Sequence, residues 1–196
     1  MSHALLGDCK FFATLLRIDI DLADRARGEG CACGGRLDRA DYPRKPRGGP
    51  ADLDRAYEKR FSLCCATEGC RARTTPPSVR FLGRRVYLGA IVVLVSAMRH
   101  GVTPPRASEL RSLFGVSART LERWRAWWAE TFTATPFWQA ARGRLRGEVE
   151  LGRLPASLVE QFGAANDANA VVRVLVFLVP ITTSSCAMEA RISMPV

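Results

Sequence analysis

Apolar residues recur at helical spacing along most of this chain, so a mainly α fold is expected. Within residues 10–27 they fall on one stripe of an amphipathic N-terminal helix, whose members are Phe11, Phe12, Leu15, Leu16, Ile18 and Leu22. Three acidic residues between them are expected on the polar side of that helix and not in a catalytic cluster: Asp19, Asp21 and Asp24.

Further segments of the chain are also predicted to be helical. An aliphatic run predicts a helix over residues 84–100, and residues 137–146 predict a short basic helix that Pro136 begins. Toward the C-terminus, PASLVEQFG and NDANAVVRVLVFLV predict two helices packed as a hairpin, the second ended by Pro180. None of the apolar runs reaches the about 20 residues that a membrane-spanning helix needs, so they are expected in the core.

Residues 104–128, PPRASELRSLFGVSARTLERWRAWW, predict two helices joined by a tight turn. The first has apolar residues at helical spacing: Ala107, Leu110, Leu113 and Phe114. Gly115 supplies the left-handed residue that ends this helix, Val116 can tuck under the turn, and Ser117 caps the second helix. This is the pattern of a helix-turn-helix.

The second of these helices is predicted to have an apolar inner face and a basic outer face. Leu121, Trp124 and Trp128 are spaced three and four apart, which leaves on the outer face Ala118, Arg119, Glu122, Arg123 and Ala126. Such a helix can enter a major groove with its N-terminal end leading. We therefore expect DNA contacts from Ser117, Arg119, Thr120 and Arg123, whereas an ordinary helical hairpin with a solvated charged face is the alternative.

Five of the seven cysteines form two groups: Cys31 and Cys33, then Cys64, Cys65 and Cys70. Two turns that each carry two cysteines can place four thiolates around one zinc ion, and Gly34, Gly35 and Gly69 suit such turns. The expected ligands of a structural Zn²⁺ are Cys31, Cys33, Cys65 and Cys70, with Cys64 as the competitor for the third place. The C-x-C spacing departs from the usual C-x-x-C, so buried structural cysteines or a degenerated zinc site are the alternatives. Cys9 and Cys186 stand alone and are expected to be buried as small apolar residues.

The insert between the two groups, RLDRADYPRKPRGGPADLDRAYEKR, is rich in Pro, Gly and charge and is expected to be a loop outside the core. Its PRKPRGG has a faint likeness to minor-groove-binding segments, but a solvated basic loop is the preferred interpretation. Positive charge continues after the second group at Arg71, Arg73, Arg80, Arg84 and Arg85. The cysteine module and the two-helix segment are thus expected to share one basic surface.

Charge and motif content narrow the classes of function. The 196 residues include 29 Lys and Arg against 19 Asp and Glu, a formal net charge of +10, which favours a polyanionic partner. The opening MSHALLGDC lacks the basic and apolar parts of a signal peptide, so a cytoplasmic protein is expected. His3 and His100 are the two histidines, and no phosphate-binding loop or metal-hydrolase motif accompanies them, so an enzyme is not expected.

A family resemblance rests on the order Cys-x-Cys-Gly-Gly, basic insert, Cys-Cys-x4-Cys-Arg-x-Arg and FGVSARTLERWRAWW, which spans residues 30–128. This order resembles the N-terminal DNA-recognition half of bacterial insertion-sequence transposases and of the small proteins that accompany them. In those families a zinc ribbon or zinc-finger-like module and a helix-turn-helix typically read the ends of the element. The resemblance implies zinc ligation at the matching cysteines and DNA contact by Arg119 and Arg123. The stretch after Trp128 is too short and too helical for a ribonuclease-H-like catalytic domain.

The expected architecture is mainly α: a small zinc-ribbon-like module followed by a trihelical helix-turn-helix and a C-terminal helical hairpin. Its divisions are an N-terminal helix (1–29), the zinc-ribbon-like module with its basic insert (30–80), the helix-turn-helix domain (84–130), a C-terminal helical region (136–181) and a tail (182–196).

The leading functional hypothesis is a non-catalytic, sequence-specific DNA-binding protein of a mobile element. The alternative is a zinc-containing helix-turn-helix transcription regulator. Double-stranded DNA is the expected partner, and a transposase or a second copy could bind the C-terminal helices.

Overall fold

A computed structural model describes residues 3–50, 52–82, 87–97, 104–164 and 167–183. The chain is mostly helical with a small amount of sheet, as the sequence predicts. The α-helices are α1 (His3–Leu6), α2 (Cys9–Glu29), α3 (Gly89–Ser96), α4 (Pro104–Phe114), α5 (Ala118–Ala126), α6 (Pro136–Ala141), α7 (Ala156–Glu160), α8 (Ala168–Phe177) and α9 (Pro180–Thr183). Tighter 3₁₀ turns lie at Arg55–Glu58, Arg142–Arg144 and Leu151–Arg153, and a wider π-helical segment, Trp127–Phe132, continues α5.

Short antiparallel strands connect α2 to the helices that follow. The strands are β1 (Leu37–Arg39), β2 (Tyr42–Pro43), β3 (Lys59–Arg60), β4 (Leu63–Cys65) and β5 (Arg73–Thr74). Three of them form a sheet in the order β1-β4-β5, in which Leu37 lies opposite Cys65 and Cys64 lies opposite Arg73. The other two, β2 and β3, pair as a separate two-stranded ribbon.

Helix α2 buries a charged side chain that the apolar pattern predicts on the polar side of the helix. Phe11, Phe12 and Leu15 are buried as expected, but Asp19 is also completely buried. Its carboxylate accepts from Nε of Arg80 at 2.7 Å, and neither side chain is exposed to solvent. The polar-side prediction for Asp19 and the surface prediction for Arg80 are therefore wrong, because the two charges neutralise each other inside the protein.

The insert between the cysteine groups is not a loop outside the core. Tyr57 is 2% exposed, its hydroxyl donates to the carbonyl of Phe12 in α2, and Arg80 lies over its ring. Asp54 caps the 3₁₀ turn that carries Tyr57 by accepting from the backbone N–H of Ala56 at 2.7 Å. The many charged residues of the insert led to the prediction of a loop, but the segment is structured and its aromatic side chain packs into the main core.

Helices α4 and α5 are joined by the turn that the sequence predicts. Gly115 adopts a φ of 64°, Val116 is buried, and the Ser117 side chain accepts from the backbone N–H of Thr120 at 3.2 Å. On α4, Leu110 and Phe114 are buried, whereas the inward prediction for Leu113 is wrong because 53% of it is exposed. The side chain of Ala107 lies outside the described part of the chain.

Helix α3 supplies the support behind this pair. All of its residues are buried, and it packs against both α5 and α8. The described helix is shorter than the predicted 84–100, and both ends of that range lie outside the described residues.

The C-terminal region follows the predicted order of helices with different ends. Helix α6 starts at Pro136, is capped by Thr135 and passes into a 3₁₀ turn, and α7 packs against α8. Helix α8 ends at Phe177, before Pro180, which begins α9 instead of ending α8. Among the described residues, no helix combines the length and apolarity needed to cross a membrane.

Truncating Trp124 should destabilise the protein much more than truncating Trp127. Trp124 is 3% exposed and meets Tyr87 edge to face at 5.0 Å, whereas Trp127 is only half-buried. We expect Trp124→Ala to cost about 3–5 kcal/mol of unfolding free energy and Trp127→Ala about 1–2 kcal/mol. Urea unfolding of both variants measures the difference, and equal losses would contradict this account of the α5 core.

Candidate metal centre and nucleic-acid interface

Four cysteines from two separated turns converge at one end of the three-stranded sheet. Cys31 and Cys33 lie in the turn after α2, Cys65 ends β4, and Cys70 lies in the turn between β4 and β5. All four sulfurs lie within 4.8 Å of one another, with Cys31 to Cys70 at 3.8 Å and Cys33 to Cys65 at 3.5 Å. A tetrahedral zinc with Zn–S bonds of about 2.3 Å requires sulfurs about 3.8 Å apart. The four-cysteine site can therefore hold a metal ion.

Backbone amides lie beside the sulfurs in both turns. The N–H of Thr67 donates to Sγ of Cys65 at 3.4 Å. The backbone N–H groups of Cys33, Gly35 and Ala72 act to lower the pKa values of Cys31, Cys33 and Cys70. Such bonds stabilise negative charge on sulfur and orient ligands toward a metal.

Neighbouring groups shift the pKa values of Cys33 and Cys70 in opposite directions. The N–H of Gly35, followed by the thiols of Cys70, Cys65 and Cys31, lowers the pKa of Cys33 to about 6. The N–H of Ala72 acts to lower the pKa of Cys70, but the sulfurs of Cys33 and Cys31 outweigh it and raise that pKa to about 12. Cys33 thus ionises readily while Cys70 keeps its proton, which a divalent metal would replace.

Glycine is required where the first turn closes over the sulfurs. A Cβ on Gly35 would lie 2.1 Å from Oγ1 of Thr67 and 2.8 Å from Sγ of Cys65. Gly34 and Gly69 each have a φ of 81°, which side-chain-bearing residues rarely adopt. The glycines that the sequence analysis singled out therefore shape both turns.

Two other cysteines, Cys64 and Cys9, lie outside this site. Cys64 points away and donates to the carbonyls of Cys65 at 3.7 Å and Arg71 at 3.6 Å. Cys9 is exposed, 3.1 Å from both carboxylate oxygens of Asp52, so the prediction of a buried Cys9 is wrong. Cys186 lies outside the described residues.

Very little apolar surface supports the four-cysteine site. Its own buried cluster consists of Leu37, Leu63 and Cys65, separate from the large core formed by the helices. A core this small cannot offset the conformational entropy of ordering two turns. A bound metal would supply the missing stabilisation.

The side chains that the sequence predicts to contact DNA differ in how exposed they are on the outer face of α5. Arg119 and Arg123 are exposed, and Ser117 is exposed beside the helix N-terminus. Thr120 is only 8% exposed, and its hydroxyl contacts Ser117 at 3.0 Å and Arg123 at 3.4 Å. The two arginines are therefore the accessible groups, while Thr120 helps to order the helix start.

Tyr87 supports this face from behind and was missed by the sequence analysis. Its hydroxyl donates to the carbonyl of Gly115 at 2.8 Å, and its ring packs edge to face on Trp124. One side chain thereby holds both the turn and the buried side of α5. A lone tyrosine 28 residues before its partner gives no periodic signal that could have revealed this role.

The expected basic surface is only partly present. Arg71 and Arg73 are exposed near the four-cysteine site, whereas Arg80 is buried against Asp19. Arg84 and Arg85 lie outside the described residues.

Comparisons with protein-family models, with curated proteins and with solved structures find no match to this chain.

Proposed function

We propose that this chain is a non-catalytic, sequence-specific DNA-binding protein of a mobile element, with α5 as its recognition helix and one structural zinc in the four-cysteine site. The observation that carries the proposal is the form of α5. Arg119 and Arg123 stand exposed on one side, while Leu121, Trp124 and Trp128 are buried on the other. A rigid helix that offers arginines at its N-terminal end fits the major groove, where arginine reads guanine through two hydrogen bonds.

Zinc is the metal that best fits the ligand set. Four sulfur ligands favour zinc or an iron–sulfur cluster over magnesium, calcium or manganese. The four sulfurs lie within 4.8 Å of one another, a spacing that supports one ion. Four thiolates leave no open position for water, so the proposed zinc is structural and not catalytic.

Removing both exposed arginines of α5 should weaken DNA binding and relax its sequence preference. The preferred duplex is first selected from a random pool with wild-type protein at fixed salt. Loss of a base-reading arginine should cost about 1–3 kcal/mol for that duplex, so we expect Arg119→Ala with Arg123→Ala to reduce affinity by at least tenfold. Fluorescence anisotropy with the selected and a scrambled duplex measures the loss.

A charge-matched control separates base reading from general attraction. Arg17→Ala with Arg25→Ala removes the same two charges from exposed positions on α2. This control should reduce binding to both duplexes equally or leave it unchanged, because phosphate contacts carry no sequence information. If the α5 variant remains folded by circular dichroism and prefers the selected duplex as strongly as wild type, α5 is not the reading helix.

The selected DNA also distinguishes the mobile element from the transcription regulator. Selection of a sequence present in inverted repeats at both ends of an element supports the proposal. Selection of a site in the protein's own promoter favours the regulator instead.

A further inference from the structure

A short segment directly after α6 carries three arginines at alternate positions. Residues 142–147 read RGRLRG, and the side chains of Arg142, Arg144 and Arg146 are all exposed. We call these three side chains the arginine strap. The segment contains no acidic residue, so three positive charges lie close together on the surface.

Contacts with the core hold the backbone of this segment in place. The N–H of Arg142 donates to the carbonyl of Trp138, whose side chain is 1% exposed. Leu145 has an extended backbone, with φ −77° and ψ 142°, and packs against the main core. At the far end, the side chain of Gln161 accepts from the N–H of Gly147 at 3.1 Å. The backbone that carries the arginines is thus positioned before any partner binds.

The core contact of Leu145 determines where its neighbours point. Successive side chains of an extended backbone point to opposite sides. Because Leu145 faces the core, Arg144 and Arg146 face away from it, in agreement with their exposure. A Cβ on Gly143 would meet no atom within 4 Å, so the space beside the first two arginines is also open. A partner can therefore reach the whole strap from solvent.

The positive charge of the strap has no counterion in the described part of the chain. None of its three side chains takes part in an ion pair or a side-chain hydrogen bond with a described residue. The next arginine along the chain differs, since Arg153 pairs with Glu150 at 3.2 Å and with Glu160 at 2.6 Å. The strap thus differs from a surface on which charges of both signs alternate, and its form favours an external polyanion.

We propose that the arginine strap binds the phosphate backbone of double-stranded DNA. The planar guanidinium donates paired hydrogen bonds to phosphate oxygens, and phosphates repeat along each strand, so neighbouring arginines can contact neighbouring phosphates. Such contacts position a protein on DNA and carry no sequence information. The choice of DNA as the polyanion rests on the function proposed above, but the strap shares no residue with α5.

The salt dependence of DNA binding tests the strap. Arg142→Ala, Arg144→Ala and Arg146→Ala together should weaken binding to the selected and the scrambled duplex equally, by at least tenfold at low salt. Each phosphate contact contributes about 0.9 to the slope of log affinity against log salt concentration, so this slope should become shallower by about 2–3. Fluorescence anisotropy over a series of salt concentrations measures both quantities.

A charge-matched control separates contact by the strap from the net charge of the protein. Arg17→Ala, Arg25→Ala and Arg55→Ala together remove three charges from exposed positions elsewhere and should change the slope by less than about 1. Lysine at all three strap positions keeps the charges and should keep most of the slope. If the triple alanine variant does not fold by circular dichroism, Arg144→Ala with Arg146→Ala replaces it, with an expected change in slope of about 2.

The results for the strap and for α5 can be told apart. Loss of α5 arginines should change the ratio of affinities for the two duplexes, whereas loss of the strap should change the slope and leave that ratio as it is. A folded strap variant with the wild-type slope, or a control that changes the slope as much as the strap variant does, overturns the proposal. Unchanged DNA binding with lost binding to phosphatidylserine vesicles also overturns it and assigns the strap to a membrane surface.

Discussion

Removing the proposed zinc should unfold the two turns that carry the four-cysteine site while the helical core stays folded. The reason is the division of apolar contacts, since the site has only the small cluster around Leu37 and Leu63 beneath it. The insert near Tyr57 should persist because it packs into the large core with α2. Metal analysis of protein purified without added chelator should find one zinc per chain. Amide exchange after chelation should then show loss of protection confined to residues near 31–39 and 63–74.

Single substitutions test the ligand assignment within the same experiment. Cys33→Ser, Cys65→Ser and Cys70→Ser should each abolish stoichiometric zinc binding, whereas Cys64→Ser, the matched control, should retain it. Gly35→Ala should also lose the metal because its Cβ would displace Thr67 and Cys65. Protein that carries no zinc and gains no stability when zinc is supplied would leave a degenerated site held by its apolar contacts.

Asp19→Ala should be among the most destabilising single substitutions in this protein. It removes the carboxylate that accepts three hydrogen bonds and leaves the guanidinium of Arg80 buried without its counterion. Breaking a buried ion pair from one side costs about 3–5 kcal/mol, which for a chain of this size lowers Tm by about 6–20 °C. Urea unfolding followed by circular dichroism measures the loss.

An exposed ion pair on the same helix provides the control. Asp24 pairs with Arg39 at 3.0 Å, but both side chains are about half exposed, so Asp24→Ala should cost about 0–1 kcal/mol. Replacing both buried partners, as Asp19→Leu with Arg80→Met, should cost less than the sum of the two single substitutions because no unpaired charge remains. Equal losses from Asp19→Ala and Asp24→Ala would show that the buried pair does not hold α2 in place.

Local signals in the sequence were sufficient for the α4–α5 turn. Each of these signals involves groups only a few residues apart. Gly115 adopts a left-handed backbone conformation, Val116 makes an apolar contact under the turn, and Ser117 caps the start of the next helix. The spacing of Leu121, Trp124 and Trp128 likewise determines which side of α5 is buried. The exposed Leu113 shows the limit of this reasoning, since whether an apolar residue is covered depends on what lies against it.

Spacing alone did not decide whether Cys64 or Cys65 is the third ligand of the site. Cys64 and Cys65 are adjacent, so along a strand their side chains point to opposite faces. Pairing of β4 with β1 places Cys65 opposite Leu37 on the side of the other three sulfurs, while Cys64 lies opposite Asp38. The choice therefore depends on strand register, which is a property of the folded sheet.

By itself, the sequence determined the mostly helical character, the turn chemistry between α4 and α5 and the grouping of cysteines that can meet at one metal. Periodicity, capping and glycine conformation act over short distances, so they can be recognised without knowing the fold. Only the tertiary structure decided that Asp19 and Arg80, 61 residues apart, form a buried pair, and that Tyr87 supports the Gly115 turn. A charged or aromatic side chain can find many partners along a chain, and the packing of the whole core selects one of them.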